Sequence, residues 1–213
     1  MTFNYFESIA DKYCRYLSFK KPLVIRFDGV NITKNRGIDM LDVSEGGFAY
    51  AIIKTAITLS KKYHAFTFVE SDEISLVISD SSSIKRKFSS NKVQKVSSIL
   101  SQEVFEIFNK LYRGDTVYFD AKAFNIPFEK IESYFIYRQK SALCVCSTYI
   151  AKRHLSYDKY CDLKLEQIIH NLDTYCKDIP HDYEYVKQGI IYYDGYYIDR
   201  EDFFADNYVM LVD

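Results

Sequence analysis

Two short acidic segments hold the residues of this sequence that could do chemistry. Asp28-Gly29 follows the apolar run 23–27, and residues 70–73 (Glu-Ser-Asp-Glu) lie between two further apolar runs. Carboxylates at the ends of rigid strands are suitable ligands for hard cations such as Mg²⁺. If Asp28 and Asp72 meet, they could bind two Mg²⁺ ions that activate an attacking oxygen and stabilise a leaving phosphate oxygen. The backbone carbonyl of Gly29 would be a fitting additional ligand.

The flanking sequence predicts the elements that position these acids. Apolar residues repeat at helical spacing in four segments, and short β-branched or aromatic runs indicate strands between them. A late β-hairpin is predicted over residues 183–199, with its turn at Asp194-Gly195. The elements expected before that hairpin are helix 4–17, strand 23–27, helix 48–63, strands 65–69 and 74–78, helix 92–112, strand 118–124 and helix 130–153.

The order β-α-β-β-α-β predicts an α+β fold of the ferredoxin-like, palm-like type. We expect one antiparallel sheet with helices on one face, plus a C-terminal helical and β-hairpin extension. Residues 1–213 would form a single catalytic domain, with the core over about 20–130 and the extension over about 131–213. In this topology the tip of the hairpin formed by strands 65–69 and 74–78 lies near the end of strand 23–27, so Asp28 and Asp72 would face each other. The alternative is that both are ordinary turn residues without a function.

Composition excludes several classes of protein. The chain has 48% hydrophobic and 27% charged residues, a net charge of -1 and 7 glycines. No apolar stretch approaches the ~20 residues of a membrane span, so no membrane partner is expected. The absence of a signal-peptide pattern and of a cysteine framework predicts a cytoplasmic protein with reduced cysteines. No Gly-rich phosphate loop is present. A basic run over 85–95 could bind phosphates or could be solvated surface.

Four motifs, taken in order, resemble the signature of the tRNA(His) guanylyltransferase family. That family has a palm-like catalytic domain, uses two Mg²⁺ ions and adds nucleotides to the 5' end of tRNA. The 5'-phosphate is first activated with ATP or GTP, and the 3'-hydroxyl of an incoming nucleotide then attacks the activated end. The matching motifs are Arg26-Phe27-Asp28-Gly29, Glu70-Ser71-Asp72-Glu73-Ile74-Ser75, Phe119-Asp120-Ala121-Lys122 and Arg138-Gln139.

The resemblance implies roles for individual residues. Asp28, Asp72 and Glu73 would be catalytic, and the metal ligands would be Asp28, Asp72 and the carbonyl of Gly29. It also implies tRNA, GTP and ATP as partners and a homo-oligomer, a tetramer in the family. The residues expected to bind the nucleotide are Arg26, Ser71, Lys85, Arg86, Lys92 and Lys187.

One departure from the family pattern favours the tRNA-guanylyltransferase-like 3'-5' polymerase branch. Enzymes that act on tRNA(His) carry a His followed by paired asparagines after the Arg-Gln motif, whereas this chain has residues 143–146, Leu-Cys-Val-Cys. Two other functions share the acidic segments. One is a palm-type nucleotidyltransferase that acts on free nucleotides, as cyclases do. The other is a non-catalytic nucleotide- or RNA-binding relative.

Overall fold

The computed structural model describes residues 15–32, 38–85, 88, 90–156, 159, 163–170, 189–199 and 203. Most of the predicted helix 4–17 lies outside this part of the chain. The prediction is wrong for its last residues, because Tyr16 forms an antiparallel bridge with Lys92. None of the helices in the described ranges has both the length and the apolar composition needed to cross a bilayer.

The elements follow the predicted order. Each predicted element between residues 23 and 154 agrees with the structure to within two residues at either end. The agreement reflects clear helical periodicity and short, strongly apolar strands. The elements are β1 (Leu23–Gly29), α1 (Phe48–Tyr63), β2 (Phe66–Glu70), β3 (Glu73–Ile78), α2 (Ser82–Lys85), α3 (Val93–Leu111), β4 (Phe119–Asn125), a 3-10 turn (Phe128–Lys130), α4 (Ile131–His154), α5 (Leu165–His170), β5 (Ile190–Tyr193) and β6 (Tyr196–Ile198).

The strands form a six-stranded sheet in the order β4-β1-β3-β2-β5-β6. All neighbouring strands are antiparallel. As predicted, β1 lies beside β3 and the β2–β3 hairpin closes next to the end of β1. The late hairpin extends the sheet, because β5 pairs with β2. Its turn residues Asp194 and Gly195 have φ angles of 49° and 86°, a left-handed conformation that Asp and Gly tolerate well.

Alternation along the strands divides the core between the two faces of the sheet. Ile25 and Phe27 pack with residues of α1 and α3 on one face. Val24 packs on the other face, together with Phe135 of α4. The predicted palm-like α+β fold is confirmed, with the helices of its core on one face. The helix α4, from the C-terminal extension, covers part of the opposite face. Asp28 lies on that opposite face, because successive side chains of a strand alternate.

Candidate active site

Four carboxylates form a row across four neighbouring strands. Asp28 of β1 lies directly opposite Asp120 of β4 and Glu73 of β3, and Glu73 lies opposite Glu70 of β2. Side chains in such cross-strand pairs share one face, with Cβ atoms about 4.5–5.5 Å apart. This row lies on the α4 face. Because opposed like charges are destabilising, the row needs positive charge nearby.

A two-residue turn holds Asp72 against the end of β1. The backbone N–H of Gly29 donates to the Asp72 carbonyl oxygen at 3.1 Å. Ser71, with a φ of 49°, is buried in the turn and donates its hydroxyl to Asp72 Oδ1 at 2.9 Å. A Cβ on Gly29 would lie 2.5 Å from Ile32 Cγ1 and 3.3 Å from Asp72 Cβ. The structure therefore brings Asp28, Gly29 and Asp72 together, and the close approach requires the glycine.

The surroundings of Asp28 and Asp72 disfavour the ionised form of both carboxyl groups, so both pKa values are raised. Burial raises the pKa of Asp28 and the nearby Asp120 raises it further, whereas Arg26 and Lys122 oppose the shift. Burial also raises the pKa of Asp72; the hydrogen bond from Ser71 counteracts this, and the charge of Asp28 adds to it. A divalent cation would relieve both the repulsion and the cost of burying the charges.

Three basic side chains surround the row of acids. Arg26 and Lys122 lie opposite each other on β1 and β4, on the same face as Asp28 and one row away from it. Arg138 of α4 is only 3% exposed; its Nη2 pairs with Glu70 Oε1 and lies 2.7 Å from Glu73 Oε1. Arg26 Nε lies 3.6 Å from Glu73 Oε2. Cations thus engage both oxygens of Glu73.

The Glu73 side chain is largely buried. Burial raises its pKa, Arg26 lowers it, and Asp28 and Asp72 raise it again, which brings the pKa to about 8. The contacts with Arg138 at 2.7 Å and with Arg26 favour the ionised form against this burial. Within the described residues, Glu70 Oε2 and Arg138 Nε are buried atoms without a hydrogen-bond partner.

Lys85 and Lys92, also predicted to bind the nucleotide, do not join the acids within one chain. Lys85 ends α2, which follows the opposite end of β3, where Ser81 donates to the carbonyl of Lys21. Lys92 bridges to Tyr16, upstream of β1. β1 spans about 20 Å, so both lysines lie far from Asp28. Arg86 and Lys187 lie outside the described residues.

The donor set at the acids fits a hard cation. The carboxylates of Asp28 and Asp72 and the carbonyl of Gly29 are all oxygen ligands of the kind that Mg²⁺ takes. In the ranges that the structure describes, however, no group of three or more His, Cys, Asp or Glu side chains is arranged to hold a metal ion. The fit therefore rests on two carboxylates and a backbone carbonyl, with phosphate oxygens and water as the remaining ligands.

Sequence reasoning assigned no role to four residues of this cluster: Glu70, Asp120, Lys122 and Arg138. The signal for Asp120 and Lys122 was available, because placing strand 118–124 beside β1 puts both opposite predicted site residues, Asp28 and Arg26. Arg138 was marked only by the Arg138-Gln139 motif of the family resemblance, and no strand placement pointed to its partners. It reaches the acids from a helix 68 residues further along the chain than Glu70, and only the packing of α4 shows the contact.

The sheet order, the helices α1 and α3 and the acids at the end of β1 define a palm-like domain. No family model matches the sequence, and no curated protein matches it. Solved structures do match the fold. A bacterial tRNA(His) guanylyltransferase-like protein in complex with ATP has a TM-score of 0.71 at 22% identity, over 89% of this chain and 87% of that chain.

Two further structures are similar. A bacterial tRNA(His) guanylyltransferase-like protein in complex with GTP has a TM-score of 0.65 at 22% identity, over 88% of this chain and 82% of that chain. The tRNA(His) guanylyltransferase from Saccharomyces cerevisiae has a TM-score of 0.63 at 17% identity, over 92% and 95%. The chain thus has the fold of the tRNA(His) guanylyltransferases and their bacterial relatives. The resemblance of the motifs is confirmed at the level of the fold.

Proposed function

We propose that this chain is a Mg²⁺-dependent 3'-5' nucleotidyltransferase that adds nucleotides to the 5' end of tRNA. The 5' end would first be activated with ATP or GTP, and the 3'-hydroxyl of an incoming nucleotide would then attack it. One observation carries the proposal. In a fold shared with guanylyltransferase-like proteins solved with ATP and with GTP, Asp28 and Asp72 meet at one end of the sheet, joined by the Gly29–Asp72 hydrogen bond.

Asp28, Asp72 and the Gly29 carbonyl are the residues that would hold the metal. Two bound Mg²⁺ ions supply charge that activates an attacking oxygen and stabilises a leaving phosphate oxygen. The chain's own contribution is to hold its ligands in place. The Gly29–Asp72 backbone hydrogen bond and the Ser71 hydroxyl fix Asp72, and the strand pairing fixes Asp28. Phosphoryl transfer depends mainly on such positioning and on charge neutralisation.

Within the part of the chain that the structure describes, Arg26 and Lys122 are the basic residues best placed to contact phosphates at these acids. Both lie on the side of the row nearest the β4 edge, where Lys122 and Asp120 are exposed. Lys85 and Lys92 would reach a nucleotide at Asp28 only if another copy of the chain supplied them. Such sharing is compatible with the homo-oligomer that the family resemblance implies.

A nucleotide-addition assay tests this function. Purified protein, Mg²⁺ and labelled GTP or ATP are incubated with tRNA that carries a 5'-monophosphate, and extended tRNA is quantified. Asp28→Asn and Asp72→Asn should each lower the rate at least about 100-fold, the upper end of the effect of supporting residues at metal sites. Glu129→Gln, in the exposed turn after β4 at the opposite end of the sheet from Asp28, is the matched control and should retain the rate.

Three outcomes would contradict the proposal. Undiminished addition by both variants would remove the acids from the mechanism. Turnover of free nucleotides with no requirement for tRNA would point to a cyclase-like enzyme. Nucleotide binding without any turnover would point to a non-catalytic relative.

A further inference from the structure

We propose that Arg138 is a positioning residue of the cation site, which holds Glu70 and Glu73 against α4 and so leaves Asp28 and Asp72 available to the metal. This inference rests on the metal site of the proposed function. It gives a role in metal binding to Arg138, a buried residue of α4 that does not itself belong to the row of acids.

The first support is the geometry of Arg138. Its Nη2 contacts Glu70 and lies 2.7 Å from Glu73 Oε1; Arg138 and Glu70 are almost completely withdrawn from solvent, and the Glu73 side chain is 13% exposed. A guanidinium stays charged at any pH of interest, and its rigid fork can engage two carboxylates at once. One turn earlier on α4, the Tyr134 hydroxyl lies 2.8 Å from the buried Ser75 Oγ. Two polar contacts therefore fix this part of α4 over β3.

The second support is how the counter-charges are distributed. Glu73 has one oxygen on Arg138 and the other facing Arg26. Among the described residues, Asp28 and Asp72 form no ion pair, although Asp72 accepts a hydrogen bond from Ser71. Arg138 thus neutralises Glu70 and Glu73 in the row, whereas Asp28 in the row and Asp72 in the adjoining turn have no such counter-charge in the described part of the chain. A cation at this end of the sheet would therefore find Asp28 and Asp72 without a competing cationic side chain from the described ranges.

The third support is the consequence of removing the guanidinium. Glu73 lies directly opposite Asp28 and next to Asp72 in sequence, so an unrestrained Glu73 carboxylate would repel both. The backbones of Asp28 and Asp72 would stay in place, but their carboxylates would be pushed from the positions that a metal requires. Mutation of residues that orient metal ligands without binding the metal themselves typically changes metal affinity 10–100-fold.

A purely structural ion pair is the competing explanation, because buried pairs often serve only the fold. The test is therefore made on metal binding to the protein without nucleotide or tRNA. Mn²⁺ binding is measured by isothermal titration calorimetry and by the loss of the free Mn²⁺ electron paramagnetic resonance signal. Thermal unfolding is followed in parallel for each variant.

Arg138→Gln should weaken Mn²⁺ binding about 10–100-fold. Adding Glu73→Gln to this variant should restore most of the affinity, because the neutral amide no longer repels Asp28. If Arg138→Gln does not fold, Arg138→Lys replaces it. Lysine keeps the charge but cannot hold two carboxylates in a fixed geometry, so affinity should fall and Glu73→Gln should again restore it.

Glu103→Gln controls for loss of stability alone. It weakens the partly buried contact with the Tyr63 hydroxyl, 2.7 Å away, on elements remote from the acids. This variant should be less stable yet bind Mn²⁺ as the wild type does. Arg138 variants with wild-type Mn²⁺ affinity would overturn the inference, and so would a loss of affinity that Glu73→Gln does not repair.

Failure of the inference and failure of the proposed function have different signatures. If Asp28→Asn binds Mn²⁺ like the wild type, the metal site itself is wrong. If Asp28→Asn loses Mn²⁺ but Arg138→Gln does not, only the role of Arg138 is wrong. If Mn²⁺ binding behaves as expected but no nucleotide is added to tRNA, the positioning role stands and the proposed reaction is wrong.

Discussion

Gly29→Ala tests whether the junction between β1 and the β2–β3 turn builds the site. The added methyl group would lie 2.5 Å from Ile32 Cγ1 and 3.3 Å from Asp72 Cβ, against the 3.5–4.0 Å of ordinary carbon contacts. Ile32 is buried and packs in the core, so it can yield only by disturbing its neighbours. Forcing an extra methyl group into a packed site costs about 1–3 kcal/mol of unfolding free energy.

The same methyl group should also damage the cation site, because it pushes Asp72 away from Gly29 by a few tenths of an ångström. The backbone hydrogen bond of 3.1 Å between them would lengthen. We expect Mn²⁺ affinity to fall about 10-fold, a change typical for disturbed supporting contacts at a metal site. Urea unfolding gives the change in stability, and calorimetric titration gives the change in affinity.

Gly195→Ala is the matched control for this experiment. Gly195 has a φ of 86°, and a Cβ there would meet only Lys61, at 3.4 Å. The left-handed backbone alone should cost an alanine about 1–2 kcal/mol, without any effect on Mn²⁺. A Gly29→Ala protein that binds Mn²⁺ as tightly as the wild type, or that loses no stability, would refute the reasoning about this junction.

Three further predictions concern the surroundings of the acids. Because burial raises the pKa of Asp28 and Asp72 above the ordinary 3.8 and a metal needs ionised ligands, Mn²⁺ affinity should begin to fall at a higher pH on acidification than unshifted carboxyls would allow, and a decline that begins only near the ordinary pKa would contradict this. Tyr134→Phe should lower the unfolding free energy in urea by about 1 kcal/mol, because it removes the hydrogen bond to Ser75, and an unchanged midpoint would contradict this contact. Lys122→Gln should weaken the binding of a fluorescent GTP analogue about 5-fold and Lys122→Arg should not, whereas equal binding by the wild type and both variants would exclude Lys122 from the phosphate site.

Local patterns were sufficient to predict much of the fold. The helix Phe48–Tyr63 was predicted with its observed bounds, because its apolar residues repeat without interruption. The four residues between the apolar runs 65–69 and 74–78 predicted a hairpin, and the split βαβ order then placed its tip beside Asp28. The meeting of the two acidic segments follows from these two steps.

Other features of the fold and of the site depend on tertiary packing and could not be predicted from local sequence patterns. The β5–β6 hairpin was predicted as part of an extension, yet β5 continues the sheet through pairing with β2. Charge alone could not show at which end of the sheet Lys85 and Lys92 lie, because a run of basic residues can occur at either end. Arg138 reaches the acids only because α4 packs across the second face, a contact over 68 residues that no local pattern encodes.

The central claim is that Asp28 and Asp72 share a two-metal site, and the anomalous diffraction of Mn²⁺ tests it most directly. A crystal of the protein grown with Mn²⁺ and GTP would be measured at the manganese absorption edge. We expect two anomalous peaks about 3.5–4 Å apart, both in contact with the carboxylates of Asp28 and Asp72, and one of them near the Gly29 carbonyl. Peaks bound by the GTP phosphates alone, or located away from these carboxylates, would contradict it.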